Sequence, residues 1–344
     1  MNLTSEAHTL ECRGLTYMST LADTGSLFSR IYRPPLVAQF LKEVSLIARS
    51  GEVHGIVGVA GCGKTTLLEA IAARAQGDIG GTVLLDKHLL TASRFSKLCV
   101  FVSFRTRYPG HLSVRSTLFY HARLSIGGPS ITSEDIDRAV DESMDAFDLL
   151  AYAHDRMCSL SESARRRTIL ALQLISDPLL VVVDDLLRDL DPLPSFQITS
   201  CLSSWAKKRN RIVLISMRTP RSDIYQLLNR LTILYYGEVF YSGYTKQLPA
   251  YFKQAGFTCP NNENPAVYYL SLATVDRETA ERYAETQEQA TKLVEYFKVH
   301  SVTPREGDLP KDAFGLSTVP IGTSVALCYL ERPSNASKFV TLIR

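Results

Sequence analysis

Long apolar runs are missing from this chain of 344 residues. Nowhere do about 18 apolar residues follow one another, the length at which a helix begins to span a bilayer, so nothing in the sequence reads as a membrane-crossing helix. Apolar runs such as Leu-Leu-Val-Val-Val at 179–183 are strand-sized. An excess of one charge is also lacking. The 38 Lys and Arg against 35 Asp and Glu leave +3, which excludes a histone-like nucleic-acid binder and an acidic disordered chain. Cysteine is dispersed: Cys12, Cys62, Cys99, Cys158, Cys201, Cys259 and Cys328 form no Cys-x-x-Cys pair and no zinc-type cluster with histidine. Their number is odd, and reduced thiols are expected. The first 18 residues carry Glu6, His8, Glu11 and Arg13 and no apolar core of signal-peptide length, which points to a cytosolic start. The tripeptides Asn2-Leu3-Thr4 and Asn335-Ala336-Ser337 are then expected to stay unglycosylated. There is no internal repeat and no low-complexity tract.

Core material is present: 45% apolar against 21% charged residues is the balance of a globular protein. Pro34-Pro35 closes an irregular leader, and strands are expected at 41–46 and 53–57. Gly58, Gly61 and Gly63 follow at once, then a helical pattern over 65–73 with Leu67, Leu68, Ile71 and Ala72 on one face. Gly80-Gly81 and 82–85 suggest a hairpin element, and 99–102 a buried strand. From 113 to 150 the pattern is helical, with Ile136, Val140, Met144 and Phe147 at three- and four-residue intervals and Thr132 or Ser133 as N-cap. Further helices are expected at 164–175, 195–208 and 222–229, and strands at 179–183 and 212–216. A hairpin joins 231–235 to 239–241 through Tyr236-Gly237-Glu238. Strands separated by helices predict a largely parallel sheet. After about Arg282 the chain turns charged and helical, and 303–322, rich in Pro and Gly, reads as a linker.

Gly58-Val59-Ala60-Gly61-Cys62-Gly63-Lys64-Thr65 satisfies G-x-x-x-x-G-K-[ST] without a mismatch, between a strand and a helix. Glycines let successive backbone N–H groups converge on phosphate oxygens, and the helix that follows offers its positive end. Lys64 is placed to neutralise the β- and γ-phosphates, Thr65 to ligate Mg²⁺, and Thr66 to reach the α-phosphate. Such a site also needs an acid at the end of a neighbouring buried strand, and Asp184, after 179–183, takes that role.

Upstream of that strand, Leu160-Ser161-Glu162-Ser163-Ala164-Arg165-Arg166-Arg167 resembles an altered form of L-S-G-G-E-R-R-R, the signature of the ATP-binding-cassette family. Thr219-Pro220-Arg221-Ser222-Asp223 resembles the H-Q-P-R-S-D segment of its G subfamily. Tyr251-Phe252, Gly256-Phe257, Cys259-Pro260 and Asn264-Pro265-Ala266 are similar to that subfamily's Y-F…G-Y-x-C-P…N-P-A-D-F block. Leu41-Lys42-Glu43-Val44-Ser45 and Val114-Arg115-Ser116-Thr117-Leu118 extend a likeness that runs from about 37 to 280 and is similar to that of the sterol half-transporters, the sterolins.

The resemblance implies an α/β P-loop nucleotide-binding domain at 37–295, a mixed sheet core with a helical insert at about 113–178. Residues 1–36 are then a leader. Residues 296–344 form a linker toward a transmembrane domain outside this sequence, Ser337-Lys-Phe-Val-Thr-Leu-Ile-Arg344 resembling the approach to it. It implies ATP and Mg²⁺ as ligands, a position on the cytoplasmic side of a membrane, and a second half-transporter as partner, with each ATP held between one P-loop and the other domain's signature. Lipid or sterol export follows by analogy. Nucleic acid is not expected. Arg165-Arg166-Arg167 is read as a helix N-terminal cluster facing an acidic neighbour or solvent, 207–209 as a solvated helix end, and Tyr17 and Trp205 as core.

Several positions depart from the family pattern. The general-base Glu is Asp185, shorter by about 1.5 Å of reach, and a misplaced base forfeits much of the ~10²–10⁴-fold that general-base catalysis supplies. The switch His is Arg218, which cannot accept a hydrogen bond. The Gln that would face Mg²⁺ and the attacking water is Phe104. The signature glycines are Glu162 and Ser163, beside Ser161. At ~5 Å and an effective dielectric of about 20, Glu162 would repel a phosphate charge by about 3 kcal/mol. Leu186-Leu187-Arg188-Asp189-Leu190-Asp191 keeps only Leu190 and Asp191 of P-T-S-G-L-D. The binding half is intact and the hydrolytic and partner-facing groups are altered. The expectation is therefore impaired hydrolysis and a heterodimer rather than a homodimer. A non-transport regulatory cassette acting through a protein partner is the alternative.

Overall fold

The computed structural model describes residues 7–20, 37–103, 106, 108–126, 132–272, 274 and 279–300. Phe104 and the expected linker at 303–322 lie outside them. The strands form two sheets. A four-stranded antiparallel sheet has the order β2-β1-β4-β5, with β1 Thr9–Thr20, β2 Val37–Arg49, β4 Asp78–Leu85 and β5 His88–Leu89. A six-stranded sheet has the order β10-β9-β3-β8-β7-β6. Here β3 is Val53–Val57, β6 Cys99–Ser103, β7 Leu180–Asp184, β8 Ile212–Met217, β9 Arg230–Tyr235 and β10 Glu238–Tyr244. Its neighbours run parallel except for the antiparallel hairpin β9–β10. The two P-loop strands expected to share a sheet, β3 and β7, do so with β8 between them.

The described part of the expected leader is not irregular. β1 pairs with β2 on one side and β4 on the other, and Leu10, Cys12, Leu15 and Tyr17 are buried. The alternation Leu10, Cys12 carries the period-2 signal of a half-buried strand, and the polar residues between them hid it. The hairpin element expected at Gly80-Gly81 and 82–85 is β4, paired antiparallel with β5; Gly81, at φ 86°, comes so near β1 that a Cβ would sit 2.4 Å from Gly14 O.

β3, β7, β8 and β9 are buried along their whole length, as parallel strands covered on both faces must be. Alternate residues serve two cores. Leu180 and Val182 pack with Ile56, Leu214 and the inner face of the antiparallel sheet, around helix α1, Lys64–Ile71, whose Leu67, Leu68 and Ile71 are buried there. Val181 and Val183 pack on the opposite side against helices. That side takes the segment expected as the helical insert: α3 Val114–Ser125, α4 Ser133–Ala146 and α5 Glu162–Leu174. Ser113, Thr132 and Ser161 cap them, Thr132 in a reciprocal capping box with Asp135. (Helix α2 is Ala92–Leu98.) α6 is Pro192–Arg209; it begins three residues before the expected 195, with Pro at its first position, where no intrahelical N–H is needed. Trp205 in α6 is core. α7, Ser222–Leu227, stops two residues short of the expected end. α8 Leu248–Gln254, α9 Pro265–Leu272 and α10 Ala280–His300 complete the described chain.

Candidate functional site

β3 delivers the glycine loop and α1 receives it. Gly58 admits no side chain, because a Cβ there would lie 2.4 Å from Cys62 Sγ and 2.7 Å from Leu234 O. Gly61 and Gly63 have φ 79° and 104°, the left-handed region open to glycine, and Gly63 immediately precedes α1. The Lys64 ammonium curls back over the loop and donates to Gly58 O at 2.7 Å and Val59 O at 2.8 Å, with Cys62 Sγ at 3.6 Å. Burial pushes the Cys62 thiol up from its ordinary pKa, partly offset by Lys64, so the thiol stays protonated.

The acid at the end of β7 meets the helix start. Thr65 Oγ1 donates to Asp184 Oδ1 and Oδ2 at 3.1 Å each. Ser216 of β8, absent from the sequence-derived residues, donates to Asp184 Oδ1 at 2.8 Å and accepts from the Asp185 N–H at 2.8 Å. It is the one hydroxyl in the run Ile212–Met217, and a buried polar group in an apolar strand is the signal that could have found it. Asp185 adopts φ 50° and forms a 3.7 Å ion pair with Arg188. Burial, then the neighbouring Asp184 charge, raises the Asp185 pKa; Arg188, Arg218 and Lys64 oppose the rise. Arg218 itself is exposed, one residue past β8.

Gly237, at the turn of the β9–β10 hairpin, was legible only as a turn residue, yet it clamps the loop. Its N–H donates to Cys62 O at 2.9 Å and its carbonyl accepts from the Lys42 N–H at 2.8 Å. Tyr17 is 8% exposed and donates to Gln76 O, as a core tyrosine would.

The signature-like turn opens α5, and Ser161 caps it by accepting from the Ala164 N–H. Glu162 is not the lone negative charge its sequence position suggests: it accepts from Arg165 at 3.1 Å and from Arg166 Nε at 2.9 Å. The three arginines meet the acidic neighbours expected of them, Arg165 and Arg166 at Glu162 and Arg167 at Asp148, but Arg166 and Arg167 are turned inward rather than to solvent, each only 5% exposed. Arg166 Nη1 donates to Leu186 O and Arg188 O, tying α5 to the loop after β7, and Arg167 donates to Phe147 O, Asp148 O and Asp148 Oδ2. Guanidinium tolerates such burial because carbonyls and carboxylates meet part of its fixed fork of donors, although Arg167 Nε is buried without a hydrogen-bond partner. Among the described residues no hydrogen bond or ion pair joins Ser161, Glu162 or Ser163 to the 58–66 loop of the same chain.

The donor set suits one kind of ligand. A loop turned by glycines at 58, 61 and 63 offers backbone N–H groups, a lysine and a helix N-terminus to an anion. Beside it stand a hydroxyl and a carboxylate, hard oxygen donors of the kind that hold Mg²⁺ together with substrate phosphates. Among the described residues no group of three or more His, Cys, Asp or Glu gathers as a metal cage, so a cation here would depend on the phosphates for its remaining ligands.

Comparison with known proteins agrees with this geometry. Residues 41–188 match the family model described as ABC transporter. Human ATP-binding cassette sub-family G member 5 is 30% identical over 319 residues, covering 89% of this chain and 47% of that protein. Human sub-family G member 8 is 28% identical over 364 aligned residues, 98% of this chain and 54% of that protein. ABC transporter G family member 8 of Arabidopsis thaliana is 28% identical over 274 residues, 79% of this chain and 45% of that protein. The chain thus spans about half the length of the curated relatives it matches.

Proposed function

The chain belongs to the ATP-binding-cassette transporters of subfamily G, and from that premise we propose that it is the Mg-ATP-binding part of a half-transporter, with impaired hydrolysis at its own P-loop. The observation that carries the reading is Lys64 curled onto the carbonyls of a loop shaped by Gly58, Gly61 and Gly63, with Thr65 bonded to Asp184 where that loop enters the helix. When bound, Mg²⁺ would offset charge on the β- and γ-phosphates. The protein's own contribution is to bind and orient: N–H groups of 58–66 and the Lys64 ammonium toward phosphate oxygens, Thr65 and Asp184 toward the cation. To act on phosphates, Lys64 must exchange its two carbonyl acceptors for phosphate oxygens, a stronger charge-assisted contact.

Hydrolysis needs a carboxylate that takes a proton from water, and Asp185 serves poorly. It is one methylene shorter than glutamate, paired with Arg188, and its neutral form is favoured by burial. Arg218 adds a permanent cation where a titrating group would accept and release a proton. These two positions also favour a second reading, a regulatory cassette that binds nucleotide and a partner protein without transport. Subfamily membership supports the first: a membrane domain in the full protein, a second half-transporter as partner, cytoplasmic placement of this domain, and lipid or sterol as cargo. No helix among the described residues is long and apolar enough to cross a membrane. Several apolar stretches of about 20 residues in the full-length protein would decide for transport.

Calorimetric titration with Mg-ATP tests the binding site. Lys64→Ala removes a charge-assisted contact of about 1.5–3 kcal/mol, so affinity is expected to fall about tenfold or more. Equal affinity for wild type and variant would overturn the assignment.

A further inference from the structure

We propose that Ser216 is a positioning residue that sets both carboxylates at the end of β7 for a divalent cation carried by a nucleotide; the inference rests on the Mg-ATP reading above. Ser216 is 1% exposed and stands in β8, the strand between β3 and β7. A hydroxyl left unpaired in such an apolar strand is costly, so its bonds define its role. The Asp185 N–H can only donate, and it does so to Ser216 Oγ at 2.8 Å. An ionised carboxylate can only accept, so the Ser216 proton is committed to Asp184 Oδ1, also at 2.8 Å. One hydroxyl therefore fixes the rotation of the metal-side carboxylate and anchors the backbone of the base-side acid, which is held at φ 50°.

The consequence is directional. Asp184 Oδ1 takes the Ser216 proton, while both Asp184 oxygens stay within 3.1 Å of the Thr65 hydroxyl. A carboxylate free to turn about its Cβ–Cγ bond would not keep both oxygens on Thr65. Ser216 thus keeps the two oxygen donors of the cation facing each other before any ligand arrives, and it ties the position of Asp185 to theirs. Groups that orient a ligand from behind typically change metal affinity about 10–100-fold when removed.

The experiment compares ATP affinity of the 344-residue chain with Mg²⁺ and with a chelator, for wild type, Ser216→Ala and Ser216→Thr. In Ser216→Ala the Mg²⁺-dependent gain in affinity is expected to shrink about tenfold, while metal-free ATP binding is unchanged. Ser216→Thr, which keeps the hydroxyl, is expected to behave as wild type. Mn²⁺ in place of Mg²⁺, followed by electron paramagnetic resonance, reads the cation directly and should show the same ranking. If Ser216→Ala does not fold by circular dichroism, Ser216→Cys takes its place, keeping the volume with a weak donor. An undiminished Mg²⁺ gain in the variant, or metal-free binding lost in parallel, overturns the role of Ser216 alone. Wild type that binds ATP no better with Mg²⁺ overturns the metal assignment, and wild type that binds no ATP overturns the nucleotide reading; either outcome also removes this inference.

Discussion

Asp185 is held at φ 50°, a conformation that costs most residues about 1–2 kcal/mol and Asn or Asp less. Its folded pKa lies above the ordinary carboxylate value, because burial and Asp184 outweigh Arg188, Arg218 and Lys64. The folded state then binds its proton more tightly than the unfolded chain, so its charged form destabilises the fold as pH rises through the folded pKa. Asp185→Asn is accordingly expected to raise the melting temperature at pH 7. The gain should shrink as pH falls through the folded pKa and vanish below the ordinary carboxylate value. A lowered melting temperature at pH 7 would mean that attraction to the three cations outweighs burial. Glu162 acts through its partner. Its carboxylate meets the buried Arg166 guanidinium, so Glu162→Gly leaves Arg166 Nε without that acceptor and is expected to cost about 1–3 kcal/mol in chemical denaturation. No measurable cost would show that the half-exposed Glu162 side chain contributes nothing to holding Arg166.

At the scale of elements, the β9–β10 hairpin is more than an edge. Its turn residue Gly237 holds Cys62 O and Lys42 N–H, and Glu238 beside it accepts from Lys298 of α10 at 2.8 Å. A Cβ on Gly237 would sit 2.2 Å from Phe40 O at φ 82°, so backbone must move. Gly237→Ala is expected to cost more than about 2 kcal/mol and to weaken ATP binding through the displaced loop. Gly256→Ala is the control. Gly256 has φ 92° with nothing within 4 Å of a Cβ, so only the conformational cost of about 1–2 kcal/mol applies and ATP affinity should hold. Equal effects of the two substitutions would show that the clamp has no bearing on the loop. The hairpin was legible in the sequence because Tyr236-Gly237 between apolar runs is a local turn signal. Its grip on the glycine loop was not, because Cys62 lies far away along the chain.

For the whole molecule, two sheets enclose α1, and the phosphate-type site opens where that helix begins. The antiparallel sheet closes only because β1 pairs with both β2 and β4. On the proposed reading of Asp185 and Arg218, the purified chain is expected to bind ATP and to show no steady-state ATPase activity above a Lys64→Ala background. Robust turnover abolished by Lys64→Ala would overturn the impaired-hydrolysis reading. If the chain alone is silent, activity gained on adding a second half-transporter would place catalysis in a composite site, with Ser161–Ser163 turned toward the partner.

What the sequence determined by itself was everything written in consecutive residues. The glycine spacing around Lys64, the acid closing an apolar strand at Asp184, the helical face Ile136, Val140, Met144 and the cap at Thr132 each express short-range sterics, backbone hydrogen bonding and side-chain period, which need no partner. Only the tertiary structure decided which of these meet. Thr65 and Asp184 are 119 positions apart, and Ser216 and Asp184 are 32 apart; sheet order and strand register put them within hydrogen-bond reach. The same holds for Arg166, whose charge reads as facing an acidic neighbour or solvent; beyond Glu162, packing adds the carbonyls of Leu186 and Arg188. A hydrogen bond acts over about 3 Å in space, whatever the separation along the chain. Function here depends on contacts that the order of residues leaves open and the packing of two sheets around one helix closes.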